Sequence, residues 1–221
     1  MTERRPFHVE VVVHAAREAV WRALTDPAEV RRWFGWDYDG LDDEIRYIFV
    51  DHAQRTAPGR IDLEDGERIE LEANGPRTVV RVTRPGPLTD ADEDDVHDLI
   101  EEGWRAFLQQ LRYYLERHAG EDRRTVHLQG EASPAEVLAA LDDVATGRLW
   151  HASSYQVAIV VDGQAGGLVL IEASSPLDSD VPGRVSVTVT SFGLGEAAFA
   201  ARRREWESWW TGLADHATII P

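Results

Sequence analysis

The residues that most often carry chemistry in proteins are scattered in this 221-residue chain. The eight histidines contain no i, i+4 pair and no HExxH motif; they are His8, His14, His52, His97, His118, His127, His151 and His216. A mononuclear metal site needs three or four ligands that converge on one point, so the sequence predicts no metal site. His52 follows a predicted strand and allows two interpretations: a base at the mouth of a pocket, or a solvated loop residue.

The usual nucleophiles are absent or lack their motifs. The chain has no cysteine and, because all 23 basic residues are arginines, no lysine, which excludes thiol and Schiff-base catalysis. Serine pairs at 153–154 and 174–175 have no GxSxG context. The acidic run at 90–95 lacks the glycine and the distal glutamate of a calcium loop, and we interpret it as the solvated start of a helix. We expect no catalytic residue and no cofactor.

Aromatic residues form the remaining candidate site. They cluster in three stretches of the sequence, two of them predicted to be helices and one predicted to be a strand. An apolar cleft needs such walls, but a domain of this size also needs large side chains in its core, and both interpretations stay open. The candidate pocket lining, with two leucines of the long helix, is Trp33, Phe34, Trp36, Tyr47, Phe49, Trp104, Phe107, Leu108 and Leu111.

Charge limits the classes of partner. The chain carries 40 acidic residues against 23 arginines, a net charge of -17. A field of that sign repels nucleic acid phosphates and anionic lipid, so we expect neither nucleic acid nor membrane as a partner. The amino terminus lacks the apolar core of a signal peptide, and no later stretch reaches the length of a membrane span. These features predict a cytoplasmic protein, and they leave its oligomeric state open.

Hydrophobic periodicity predicts the elements that must position the aromatic residues. Alternating Phe7, Val9, Val11 and Val13 indicate a half-buried strand. Two helices and a meander follow, and one stripe of apolar residues then predicts a long helix at 95–118. The predicted helices lie at 16–24 and 27–34, and the predicted meander strands at 45–50, 60–63, 67–73 and 78–83, with turns at Asp65-Gly66 and Asn74-Gly75.

The same order of elements recurs later in the chain. Residues 9–24 align without a gap on residues 126–141. The helical positions Trp104, Phe107, Leu108 and Leu111 align on Trp206, Trp209, Trp210 and Leu213. The match predicts an internal duplication. We expect a first domain at 1–118, a polar linker at 119–124 and a shortened second domain at 125–221, with strands at 125–130, 155–161, 168–173 and 184–191 and a last helix at 197–215.

Two stretches of the first copy resemble a known superfamily. They are ValTrpArgAlaLeuThrAspProAlaGluValArgArgTrpPheGly at 20–35 and GluGluGlyTrpArgAlaPheLeuGlnGlnLeuArgTyrTyrLeu at 101–115. Together they are similar to the START-like or SRPBCC superfamily, and within it to bacterial homologues of the heat-shock-protein-90 ATPase activator. The second copy resembles the superfamily only in its order of elements and in its terminal helix.

The resemblance implies an α+β helix-grip fold, in which an antiparallel sheet wraps a long carboxyl-terminal helix. With the internal duplication, we expect this fold twice in the chain, the second copy being shortened. It also implies three functions that remain open. The first is non-enzymatic binding or sequestration of a hydrophobic small molecule. The second is a protein interaction module that contacts a chaperone. The third is an enzyme like the polyketide cyclases or dehydratases, which needs an acid or a base within reach of the cavity.

Overall fold

The first strand of the first sheet shows the alternation of buried and exposed side chains that the sequence predicts. The structure is a computed structural model that describes residues 6–57, 59–64, 66–85, 99–161 and 167–220. Strand β1 (Phe7–Val13) buries every second residue, as the sequence predicts. The antiparallel sheet has the order β1-β5-β4-β3-β2, in which the later strands are β2 (Gln54–Ala57), β3 (Arg60–Asp62), β4 (Arg68–Asn74) and β5 (Arg77–Arg84).

Three short helices separate β1 from the meander. They are α1 (Arg17–Thr25), α2 (Pro27–Val30) and α3 (Leu41–Arg46), and one π-helical turn, Tyr47–Asp51, continues α3. Helix α2 starts with proline behind an Asp26 carboxylate that accepts from Ala28 N at 3.0 Å. The Asp26 side chain thus caps the second helical amide of α2.

The predicted strand at 45–50 is wrong, because this stretch is helical. Leu41, Ile45 and Phe49 are spaced four apart and are all buried, which makes one helical stripe. The acidic residues Asp42, Asp43 and Glu44 stand in the first turn, where the helix dipole favours negative charge. Ile45, Tyr47 and Phe49 are apolar or aromatic at every second position, which is also the pattern of a strand. The fifth strand of this sheet is β2.

A long helix closes the first sheet. Helix α4 (Leu99–Arg117) packs along β1, and its residues Trp104, Leu108 and Leu111 are buried. Residues 86–98 lie outside the described residues, and with them the predicted loop, the acidic run at 90–95, His97 and the predicted first turn of this helix. The turn predicted at Asn74-Gly75 lies one residue later, at Gly75-Pro76, because Asn74 ends β4 and pairs with Arg77. Gly75 has a φ of 61°.

The second half of the chain repeats this topology. Strand β6 (Arg123–Ala132) leads into α5 (Pro134–Ala140), whose first turn is capped by Ser133 Oγ. The antiparallel sheet has the order β11-β6-β10-β9-β8-β7. Five of these strands occupy the same places as the five strands of the first sheet. The remaining elements are β7 (Gly147–Ala152), β8 (Gln156–Val161), β9 (Gly167–Ala173), β10 (Gly183–Phe192), α6 (Glu196–Thr211) and β11 (Asp215–Ile220).

The prediction of four strands in the second copy is therefore wrong, since β7 and β11 were missed. Both strands are largely exposed and lack a strict apolar alternation. The last helix buries most of its tryptophan face. Trp206 and Trp210 are buried in the core formed by β6, β9 and β10, and Trp209 and Leu213 are partly buried.

The chain thus has an α+β helix-grip fold that occurs twice. It divides into two compact units, one of Met1–Gly35 and Gly40–Gly120, and one of Trp36–Asp39 and Glu121–Pro221. The division falls within the predicted linker at 119–124, and the short segment Trp36–Asp39 belongs with the second unit. Among the described residues, no helix combines the length and the apolar character needed to cross a membrane.

Candidate functional site

A cleft of about 340 Å³ opens in the first unit. Four parts of the chain build it: the turn after α2, the end of α3 with its π-helical turn, the connection from β3 to β4, and the first two turns of α4. The lining residues are Phe34, Glu44, Tyr47, Ile48, His52, Leu63, Glu64, Glu67, Ile100, Trp104 and Phe107. The fold therefore brings together side chains from four separate stretches of the sequence.

Aromatic rings form the inner wall of the cleft. The rings of Phe34 and Phe107 lie with their centroids 4.6 Å apart, and Trp104 meets Phe107 edge to face at 6.0 Å. Ile100, Trp104 and Phe107 occupy positions i, i+4 and i+7 of one helix, so they share one face of α4. Aromatic pairs at these distances and angles pack favourably, which gives the cleft a firm apolar wall.

The predicted pocket residues divide into three groups. Phe34, Tyr47, Trp104 and Phe107 line the cleft. Four others are buried in the core of the first unit, at 1% exposure or less; they are Trp33, Phe49, Leu108 and Leu111. Trp36 belongs to the second unit. Tyr47 and Phe49 were predicted to share one face of a strand, but in the helical conformation they diverge, and Tyr47 is 52% exposed.

A polar cluster stands at the mouth of the cleft. Glu64 Oε2 accepts a hydrogen bond from Tyr47 Oη at 2.5 Å and lies 2.9 Å from His52 Nδ1. The rings of Tyr47 and His52 also contact each other, with centroids 4.0 Å apart. The π-helical turn makes this possible, because its last bond, from His52 N to Tyr47 O, brings the two side chains to the same side.

His52 therefore lines the cleft, which is the location that the first of its two sequence interpretations gives it. Sequence reasoning missed Glu64 altogether. Its contacts with Tyr47 and His52 depend on the connection from β3 to β4 folding back over the end of α3, and no local pattern carries that signal. Ile100 belongs to the apolar stripe that predicts the long helix, but the stripe alone does not distinguish a cleft residue from a core residue.

A buried ion pair supports the floor of the cleft. Arg84 on β5 donates from Nη2 to Glu67 Oε1 at 2.6 Å and from Nε to the same oxygen at 3.1 Å. Each side chain is only 5% exposed, and the guanidinium also lies 4.7 Å from the centre of the Phe7 ring. A buried carboxylate needs such a partner, and Arg84 supplies it for Glu67 beside the cleft.

The mouth continues into a more polar region of about 390 Å³, lined in addition by Asp51, Gln54 and Asp62. Hydrogen bonds from Arg60, the larger effect, and from Arg68 lower the pKa of Asp62 to about 2. Its carboxylate is thus ionised at neutral pH. No group of three or more histidine, aspartate or glutamate side chains suited to a metal ion occurs among the residues that the structure describes.

The second unit holds a buried histidine in place of such a mouth. Trp36 stacks on the His127 ring at 3.7 Å with planes 3° apart. His127 Nδ1 lies 2.8 Å from Thr188 Oγ1, and Gln129 Nε2 lies 2.7 Å from His127 Nε2. The Gln129 amide donates to Nε2, so the ring is neutral with its proton on Nδ1. Burial lowers the pKa of His127 to about 4.

Asp37 anchors the same segment to β6. Its backbone N donates to Thr125 Oγ1 at 2.6 Å, and its carboxylate accepts from Thr125 N at 2.8 Å. A cavity of this unit lies elsewhere and is smaller than the cleft of the first unit, about 170 Å³, with Val169, Arg202 and Trp206 among its lining residues. The two units therefore share a topology but differ in the size and the chemistry of their cavities.

No protein-family model matches the chain, and no curated protein sequence is similar to it. Similar solved structures include DynU16, a protein of the dynemicin biosynthetic locus, at 17% identity over 95% of this chain and 96% of that one, with a TM-score of 0.34. The Aha1 dimer from Colwellia psychrerythraea is 19% identical over 53% of this chain and 100% of that one, with a TM-score of 0.36. The di-domain ARO/CYC BexL of the BE-7585A biosynthetic pathway is 12% identical over 96% of this chain and 99% of that one, with a TM-score of 0.35. We therefore infer function from the residues of the cleft itself.

Proposed function

We propose that the first unit binds an apolar small molecule in the cleft between α4 and the end of α3. The observation that carries this proposal is the cleft of about 340 Å³ with Phe34, Trp104 and Phe107 on its inner wall. Ligand pockets have volumes of roughly 300–1,000 Å³, apolar walls and a few polar groups that orient the ligand. The polar mouth formed by Tyr47, His52 and Glu64 fits the last requirement. A cleft of this kind favours a small molecule over the interaction-module alternative.

Filling the cleft tests the proposal. Ile100 lines the cleft and is 45% exposed, so Ile100→Trp adds bulk at the mouth without disturbing the core. Leu149 on β7 of the second unit is 68% exposed and is not among the residues that line the cleft, which makes Leu149→Trp the matched control. The readout is a fluorescence titration with N-phenyl-1-naphthylamine, an uncharged apolar probe.

The wild type and Leu149→Trp are expected to bind the probe saturably with equal affinity, and Ile100→Trp to bind it at least fivefold more weakly. Equal binding by all three proteins would place the probe outside the cleft. A wild type that shows no saturable binding would contradict the proposal directly.

One observation favours an acid–base enzyme as a second candidate. His52 and Tyr47 both contact Glu64 Oε2 at the rim of an apolar cleft, and a histidine oriented by a carboxylate is a common proton-transfer group. Mass spectrometry of small molecules that copurify with the wild type and with His52→Gln separates the two candidates. A binding protein carries the same molecule in both cases, whereas an enzyme leaves its unconverted substrate on the variant.

A further inference from the structure

One residue in the apolar wall of the cleft carries a hydrogen-bond donor. The inner wall consists of Phe34, Trp104 and Phe107, and of these three side chains only that of Trp104 has a polar atom, the indole nitrogen Nε1. Its N–H group donates and cannot accept. Trp104 is only 7% exposed, yet no hydrogen-bond acceptor for its N–H occurs among the residues that the structure describes. The wall of the cleft therefore holds a largely buried donor that this part of the chain does not pair.

Other tryptophans of the chain do have protein acceptors. Three of them donate to backbone carbonyl oxygens at 2.8, 3.0 and 3.1 Å. They are Trp33, Trp209 and Trp210, and their acceptors are Ala23, Ala140 and Gln129 in that order. A buried indole N–H usually finds such an acceptor, and an unpaired buried donor costs free energy. For Trp104, the cleft beside the ring leaves room for an acceptor on a bound molecule.

The second copy offers a comparison. Trp206 aligns with Trp104 in the sequence, borders the cavity of about 170 Å³ and likewise has no hydrogen-bond acceptor in the described part of the chain. Both aligned indoles thus lie beside a cavity. Ligand pockets have volumes of roughly 300–1,000 Å³, a range that the cleft of the first unit reaches at about 340 Å³ and the cavity of the second does not. Of the two donors, Trp104 is therefore the one with room for a ligand.

The surroundings of Trp104 determine which acceptor fits. Phe34, Ile100 and Phe107 line the same part of the cleft, and their hydrocarbon side chains accept no hydrogen bond. A ligand hydroxyl could accept from the indole, but it would bring an O–H group that these side chains cannot pair. A carboxylate would lose the hydration of a full charge in exchange for one neutral donor. A carbonyl oxygen accepts without bringing either a proton or a charge.

We infer that Trp104 is the specificity-determining donor of the cleft, and that the ligand is an uncharged aromatic ketone or aldehyde whose oxygen accepts from Trp104 Nε1–H. The ring system of the ligand lies against Phe34 and Phe107. This inference rests on the proposed function of the cleft and names the class of ligand. A molecule of the same shape without the oxygen leaves the donor unpaired, so the cleft discriminates against it.

Two ligands of the same shape test the hydrogen bond. They are 1-(naphthalen-2-yl)ethanone, a ketone, and 2-(prop-1-en-2-yl)naphthalene, a hydrocarbon in which a methylene group replaces the ketone oxygen. Each affinity is measured by displacement of N-phenyl-1-naphthylamine from the full chain. The hydrocarbon has the stronger hydrophobic drive to leave water, so each ligand is compared between proteins.

A matched pair of variants separates the hydrogen bond from the packing. Trp104→Phe removes the N–H and part of a ring, and Phe107→Leu removes part of a ring from the same wall without removing a donor. Trp104→Phe is expected to weaken binding of the ketone about fivefold more than binding of the hydrocarbon, the value of one neutral hydrogen bond. Phe107→Leu is expected to weaken binding of both ligands by the same factor. Thermal unfolding shows whether each variant is folded.

The two ends of the hydrogen bond also report it in the wild type, without any substitution. The NMR signal of a ¹³C-labelled carbonyl carbon moves to higher frequency when its oxygen accepts a hydrogen bond, so the bound ketone is expected at a higher frequency than the ketone in cyclohexane. The Trp104 Nε1–H is expected to exchange with deuterium more slowly with the ketone bound than with the hydrocarbon bound. These two measurements decide the question even where Trp104→Phe does not fold.

The outcomes separate the inference from the proposed function. Equal weakening of ketone and hydrocarbon binding in Trp104→Phe overturns the inference and leaves the proposed function intact. A bound carbonyl signal at its cyclohexane frequency, or equal indole exchange with the two ligands, does the same. Failure of both ligands and of N-phenyl-1-naphthylamine to bind the wild type overturns the proposed function itself.

Discussion

The buried histidine of the second unit predicts a pH dependence of stability. In the unfolded chain a histidine has a pKa of about 6.5, whereas burial lowers the pKa of His127 in the fold to about 4. Between these two values the unfolded chain binds a proton that the folded chain does not. The unit is therefore most stable above pH 6.5, and it loses stability as the pH falls toward 4.

The size of the loss follows from the same two values. Each pH unit below the unfolded pKa costs about 1.4 kcal/mol until the folded pKa is reached. At pH 5 the expected loss is therefore about 2 kcal/mol relative to pH 7. The contacts of His127 explain why the fold resists protonation: Gln129 already donates to Nε2, and Trp36 covers one face of the ring.

The assay compares urea unfolding of the wild type and of His127→Gln at pH 7 and at pH 5, followed by hydrogen exchange of the amides in β6 and β10. Carboxylates titrate equally in both proteins, so the difference between their pH responses isolates the histidine. The wild type is expected to lose about 2 kcal/mol more than the variant. Equal losses, or an NMR titration that places the pKa of His127 near 6.5, would refute the reasoning.

Three further predictions concern the packing of the two units. Trp104→Ala is expected to cost about 3 to 5 kcal/mol, because it empties a buried site, and to weaken probe binding; an unchanged thermal midpoint would remove Trp104 from the core. Arg84→Met is expected to lower the free energy of unfolding by about 3 to 5 kcal/mol, because it leaves Glu67 buried and unpaired. The double variant Arg84→Met/Glu67→Met is expected to recover most of that loss in urea unfolding. A double variant less stable than the single one would contradict this. Deletion of residues 196–221 removes the buried Trp206 and Trp210 and the strand beside β6 and is expected to abolish soluble expression; a truncated chain that stays folded would show that the second sheet does not need its helix.

The elements with one buried face could be predicted from the sequence. In β1 each buried residue is followed by an exposed one. In α4 the apolar residues repeat at helical spacing, and in α6 the tryptophans do. Proline behind Asp26 and behind Ser133 marked the starts of two helices. These signals are local, and they are carried by residues whose burial depends only on their own element.

Elements with weak or mixed burial could not be predicted. Strands β7 and β11 lie at the two edges of their sheet and are largely exposed, so no apolar alternation marks them. In the stretch 41–51 the apolar residues fit both the two-residue period of a strand and the 3.6-residue period of a helix. Ile45 and Phe49 fit both a strand and a helix, and Leu41, one helical turn earlier, decides for the helix.

The candidate site was predictable only in part, for a related reason. Phe34, Trp104 and Phe107 stand out by residue type, and the fold brings them to one wall. Their separation from Trp33 and Leu108, which are buried behind them, depends on which side of each helix faces the gap. The polar mouth needs the stretch 47–52 to meet Glu64 on the connection from β3 to β4, and that meeting is a property of the tertiary structure.

The indole NMR signals of the eight tryptophans provide the most direct test of ligand binding in the cleft. Trp104 lines the cleft of the first unit, and Trp206 lines the cavity of the second. In a titration of the full chain with naphthalen-2-ylmethanol, the Trp104 Nε1–H signal is expected to shift saturably while that of Trp206 stays in place. A Trp104 signal that does not move, whether Trp206 shifts or not, would contradict ligand binding in the cleft.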